Sequence, residues 1–117
     1  MQKTYRKYPL NETVTMQMIS QTDDMMSARF WFSGKGFDGT HHHPHQEINV
    51  VIAGEFEATR GTEKFRVYPG QVVVIPPDVE HNMECLTPGG EMVSVWTPSR
   101  RDLVEKFGEL EAPLAQH

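Results

Sequence analysis

His41-His42-His43-Pro44-His45-Gln46-Glu47, running on into Ile48-Asn49-Val50-Val51-Ile52-Ala53-Gly54, carries more structural information than any other part of this chain. Along an extended backbone, side chains two apart point the same way, so His41, His43 and Glu47 share one face and His42 points to the other. His45 has the parity of the first group, but Pro44 limits the local geometry and turns it aside. We therefore read His45 as a pocket residue rather than a ligand. Two imidazoles and a carboxylate converging inside a fold lose their hydration with nothing in return unless a cation sits between them. The set suits Fe, Mn, Co, Ni, Cu or Zn rather than calcium, so one divalent transition metal is expected. A histidine-rich polar tract can also bind metal loosely, or simply be solvated. Past Glu47, Asn49 and Val51 continue the inner face, while Ile48, Val50 and Ile52 form an apolar outer row. That row needs cover from a second layer of the chain or from a second subunit.

Working outward, the period remains that of strands. Thr13 to Ser33 holds two apolar, β-branched and aromatic stretches either side of the polar turn Gln21 to Asp24. Ser33 to Thr40, with Gly34, Gly36 and Gly39, reads as a loop delivering the histidines. Glu55 to Arg60 and Glu63 to Tyr68 alternate around Gly61-Thr62 as a hairpin. Val72 to Ile75 is a short strand stopped by Pro76-Pro77. His81 to Leu86 and Glu91 to Thr97 are expected to form a last hairpin across Thr87 to Gly90. Many short strands with closely spaced turns predict an all-β sandwich or barrel. The tail differs. Leu103, Val104, Phe107 and Leu110 fall at helical spacing, and Ser99 with Asp102 approximates a capping box, so a short C-terminal helix is expected on the outside of the barrel.

The 117 residues are enough for one domain, taken as 1–117, and too few for two. A net charge of −5 without a Lys/Arg cluster argues against nucleic acid, which demands a concentrated positive field, but leaves room for a small anionic ligand met by a buried arginine. Charges and a proline between Met1 and Val14 replace the apolar core of a signal peptide, and no long apolar run occurs. We expect a soluble cytoplasmic protein with no membrane partner. The single cysteine, Cys85, has no internal partner, which fits a reducing compartment.

A second motif makes the reading specific. Gly70, Pro76 and His81 match the pattern of glycine, five residues, proline and, four residues further, histidine that follows the first motif in the cupins. The first cupin motif is met by His41, His43, Glu47 and Gly54. The chain thus resembles a small single-domain cupin of the RmlC-like, cupin 2 type. The departures are Gly36 out of register, Asp78 in place of a glycine and Cys85 in place of an asparagine. The resemblance implies a double-stranded β-helix, or jelly-roll barrel, with a metal held by His41, His43, Glu47 and His81, and a homodimer as in many small cupins.

Around that metal, His81, Met83 and Cys85 share a face, and so do Met92, Ser94 and Trp96, with Arg100 one turn on. Cys85 lines the pocket or packs as an inert buried thiol. Trp96 stacks on a ring of the ligand or belongs to the core, and Arg100 pairs a carboxylate or lies on the surface. Trp96 to Leu103 is similar to the ending of the pectin-degradation cupins that linearise unsaturated uronates, with Trp96 and Arg100 on that family's aromatic and arginine. Ser94 stands where that family has the aspartate implicated in proton transfer, and a serine is a poor acid or base at neutral pH.

The function expected is a metal-dependent isomerase or ring-opening enzyme on a small sugar acid or other oxygenated carbon acid. The metal would hold the substrate's oxygens, Arg100 its carboxylate, and His45 or a metal-bound water would move the proton. A metal-dependent dioxygenase and a non-catalytic ligand-binding cupin are the alternatives, because one barrel hosts many chemistries.

Overall fold

Nine strands and one helix make up the computed structural model, which describes residues 4–111. The chain is a two-sheet antiparallel jelly roll. Strands β1 (Lys7–Asn11), β2 (Val14–Gln21), β3 (Met26–Phe32), β4 (Gln46–Ala53), β7 (Val72–Ile75) and β9 (Gly90–Thr97) form a six-stranded sheet in the order β1-β2-β3-β9-β4-β7. Strands β5 (Phe56–Arg60), β6 (Glu63–Val67) and β8 (His81–Cys85) form a second sheet in the order β6-β5-β8. Alternation sets which faces meet: Val14, Met16 and Met18 on β2 and Met26, Ala28, Phe30 and Phe32 on β3 are buried, with partly or fully exposed residues between them. Opposite them, Phe56, Ala58, Met83 and Cys85 close the core.

The stretch Thr87 to Gly90 does not close a hairpin. β8 pairs with β5, whereas β9 pairs with β3 and β4. The reason lies at Gly54. The chain leaves β4 for β5 by stepping between the sheets there, and β8 and β9, which pair with β5 and β4, must step across the same corner. The two crossings touch: a Cβ on Gly54, whose φ is +80°, would stand 2.5 Å from the Gly89 carbonyl oxygen. Only glycine tolerates both that backbone and that approach.

Two further departures concern the ends. β1 escapes a search for alternating apolar residues because Lys-Tyr-Pro-Leu-Asn is an edge strand, where Pro9 is tolerated and little is buried. The helix α1 (Arg101–Phe107) begins at Arg100 with no side-chain cap. Ser99 cannot supply one, since its hydroxyl donates to the Thr22 carbonyl. Nor does this segment lie merely outside the barrel: Leu103 and Arg100 reach the internal cavity, and Phe107 packs edge-on against Tyr8 of β1. Among the described residues no helix is long and apolar enough to cross a membrane.

The outer face of the large sheet carries the apolar row. Register places Val74, Ile48 and Val95 side by side, and next to them Val72, Val50 and Val93. Ile48, Val50, Val93 and Val95 are partly covered, while Ile52, Val72 and Val74 are 45–53% exposed.

Candidate metal centre

The histidine segment is not one continuous strand. His41 forms an isolated bridge with His81, residues 44–45 bend, and β4 starts at Gln46. The bend folds His43 back over Glu47, so that the ligand-bearing atoms of His41, His43 and His81 all lie within 4.8 Å of one another. Glu47 Oε1 stands 3.1 Å from His43 Nε2 and 3.2 Å from His81 Nε2. Two donors about 2.1 Å from one ion and at right angles stand about 3.0 Å apart, so these separations suit a single transition metal. His42 points away, exposed and 3.9 Å from Glu80.

The state of the ligands fits as well. The His81 Nδ1–H donates to the Val79 carbonyl at 2.8 Å, which leaves Nε2 as the nitrogen that faces Glu47. Burial, then the charges of neighbouring groups with His81 foremost, lowers the His41 pKa to about 4, so His41 is neutral at pH 7. Burial alone would push the Glu47 carboxyl up, but hydrogen bonds from His43 and His81, the charge of His81 and the Asn49 amide outweigh it and hold the group well below the usual range. For His81 burial acts downward, and the hydrogen bond and charge of Glu47 raise its pKa on balance.

Glu47 is gripped from behind. The Trp96 indole N–H donates to Oε1 at 2.6 Å and the Asn49 amide donates to Oε2 at 2.8 Å. Ser94 Oγ donates in turn to Asn49 Oδ1 at 2.6 Å. The inner faces of β4 and β9 thus form one polar chain whose last member fixes a carboxylate. An aspartate at position 94 would face the Asn49 carbonyl oxygen, so the serine and the asparagine belong together.

In front of the cluster lies a cavity of about 330 Å³. Of the pocket residues read from the sequence, Met83, Ser94 and Trp96 line it, as does Arg100. Asn49 does not: it is fully buried behind Glu47. Cys85 does not either, because its Sγ lies against the Gly90–Phe56 corner of the core, where a Cβ on Gly90 would meet it at 2.7 Å. His45, expected to move a proton, stands outside the cavity with its ring 5.3 Å from that of His43. Burial and the charges of His43 and Arg100 lower its pKa. Arg100 lies over the Trp96 ring, 5.8 Å from its centroid, and holds Asp102 through two nitrogens at 2.7 and 3.3 Å.

Sequence reading missed most of the wall. Phe37 and Thr40 come from the glycine-containing loop ahead of the histidines, which has no strand period to mark an inner face. Asn82 has the wrong parity for the pocket, and reaches it because residues 35–41 run along the outer edge of β8, through bonds from Cys85 N to Lys35 O and between His41 and His81. Met16 and Phe30 carried a usable signal, since they alternate with polar residues on the inner faces of β2 and β3.

Replacing His41, His43, Glu47 or His81 by alanine is expected to cut metal occupancy, measured by elemental analysis, at least tenfold, and His42→Ala to leave it unchanged. Trp96→Phe, which removes the indole donor to Glu47, should weaken metal affinity by about 10–100-fold in a calorimetric titration.

The comparisons agree with this fold. An RmlC-like cupin from Shewanella frigidimarina NCIMB 400 superposes with a TM-score of 0.80 at 25% identity, over 86% of this chain and 89% of that one. KdgF from Halomonas sp. gives 0.79 at 25% identity, over 85% and 91%. An oxalate decarboxylase, at 16% identity, shares the fold with a TM-score of 0.71 over 80% of this chain and 27% of that one. No curated protein matches the chain. The family profile described as Cupin_2, cupin domain, matches residues 32–98, from the end of β3 through the histidine segment and both motifs to the end of β9, and the chain belongs to that family.

Proposed function

We propose that this protein is a metal-dependent enzyme that isomerises or ring-opens a small oxygenated carbon acid, sugar acids being one such class. One observation carries the reading: His41, His81 and Glu47, with His43 beside them, stand at a cavity whose wall also holds a guanidinium, Arg100, that can meet a carboxylate. His41, His43, Glu47 and His81 would hold the ion. When bound, the ion supplies Lewis acidity, polarising a carbonyl or hydroxyl oxygen and stabilising negative charge that develops there.

The chain's own groups divide the remaining work. Arg100 binds the carboxylate, exchanging its ion pair with Asp102 for one with substrate. Ser94 cannot carry the proton, because its hydrogen is engaged by Asn49. His45 lies outside the cavity. Apart from the metal cluster and Arg100, the titratable group on the wall is Asp38, an exposed carboxylate at the mouth, 3.8 Å from Lys35 Nζ. The isomerase reading therefore gives the proton to Asp38. That scarcity of proton carriers favours one second reading, metal-dependent dioxygenation, which needs no such group on the wall.

In D2O, metal-loaded protein should exchange the methyl hydrogens of pyruvate, or place deuterium at C4 of a 4,5-unsaturated uronate as its ring opens, at least tenfold faster than free metal does, as followed by NMR. Chelation should abolish the gain, Asp38→Asn should lower kcat, and Arg100→Met should chiefly raise KM. Oxygen uptake without exchange would replace this reading by the second.

The protein works, in this reading, as a cytoplasmic homodimer joined through the outer valine and isoleucine rows of the large sheet, which are contiguous and free of charge. Light scattering at micromolar concentration should give the mass of two chains, and Val74→Lys the mass of one with metal content unchanged. A monomeric wild type would contradict the dimer.

A further inference from the structure

The wall of the cavity changes character along the strands. Sheet register aligns Trp96 with Glu47 in one row and Ser94 with Asn49 in the next. One step further, Met16, Phe30 and Met92 lie side by side, and beyond them stands Phe32. Four residues separate Trp96 from Met92, about 13 Å of extended strand. Along that length the wall passes from a carboxylate and an indole N–H to thioethers and phenyl rings. Phe37, packed edge-on against Phe32 at 6.4 Å, and Met83 complete the apolar end.

We propose that the ligand is an amphiphilic acid, with a carboxylate and an adjacent oxygen at one end and a phenyl-sized, hydroxyl-free body at the other. The proposal rests on the functional reading above for the head group, and on the register of the inner faces for the body. Size allows it: a cavity of about 150 Å³ holds a benzene ring, and this one, at about 330 Å³, has room for a ring and its head group. Hydrogen bonding favours it. A hexuronate buries several hydroxyls, each of which weakens binding if left unpaired. Of the buried polar groups beside the apolar rows, the Ser94 hydroxyl is engaged by Asn49, the Trp96 N–H by Glu47 and the Asn82 amide nitrogen by the Phe37 carbonyl at 3.5 Å, which leaves one buried acceptor without a partner, Asn82 Oδ1, against several hydroxyls. Thr40 and Asp38, the latter paired with Lys35, lie on the exposed loop. A ring in contact with Phe30, Phe32 and the methionines meets no such penalty, since thioethers and aromatic edges pack well against it.

The test uses wild-type protein after a zinc titration has established its metal content. Phenylpyruvate, pyruvate and D-galacturonate are then titrated into the zinc form by calorimetry. Phenylpyruvate should bind at least 30-fold more tightly than pyruvate, and galacturonate no more tightly than pyruvate. Met92→Gln should take back at least fivefold of the phenylpyruvate advantage while leaving pyruvate affinity within twofold. Galacturonate binding more tightly than phenylpyruvate, or phenylpyruvate binding no more tightly than pyruvate, overturns this inference and leaves the metal-dependent reading standing. Failure to bind zinc in the first titration overturns both.

Discussion

The buried Glu47 carboxylate organises this molecule. It is 5% exposed and has both oxygens occupied: Trp96 and Asn49 donate from β9 and β4, and the imidazoles of His43 and His81 approach Oε1 from the loop and from the opposite sheet. A carboxylate in such a place is costly unless surrounded by donors or cations, and its lowered pKa records that here the partners prevail over burial. A metal ion completes the same logic. It would place positive charge where the ligand atoms of three imidazoles lie within 4.8 Å of one another, with the carboxylate beside two of them.

The rest of the fold holds that arrangement in place. Glu47 and Trp96 are cross-strand partners in the large sheet, while His81 opens β8 in the small one, so the centre forms only when the two sheets close. The crossings at Gly54 and at residues 87–90 bring the sheets into that relation, and the bridge between His41 and His81 seals the seam on the metal side. The Ser94–Asn49 bond extends the support by one layer. Beyond it the lining turns apolar within a single row.

Much of this was legible in the sequence, for identifiable reasons. Strand alternation showed the inner faces of β2, β3, β4 and β9, and two spaced motifs pointed to the four candidate ligands, because strand parity and ligand chemistry both leave local marks. Features that depend on distant chain segments left none. No residue near Thr87 says that β8 and β9 belong to different sheets; that follows from which strands they pair with. Ser99 has the composition of a cap, yet its hydroxyl is taken by Thr22, 77 residues away in sequence. The Trp96 N–H could be assigned to Glu47 only once the register of β4 against β9 was known, and the same register moved Asn49 from the pocket to the layer behind it. The bend at residues 44–45 leaves His45 off the cavity wall, which strand parity does not show.

The account's central claim is that one ion sits on three imidazoles and a carboxylate. X-ray absorption of the cobalt-loaded protein tests it most directly. The spectrum should show a light-atom N/O shell near 2.1 Å with the outer-shell scattering of three imidazoles, and Glu47→Ala, loaded at saturating cobalt to offset its weaker binding, should change that shell while keeping three imidazoles. A shell with one imidazole or none, or a spectrum identical in wild type and Glu47→Ala, would contradict it.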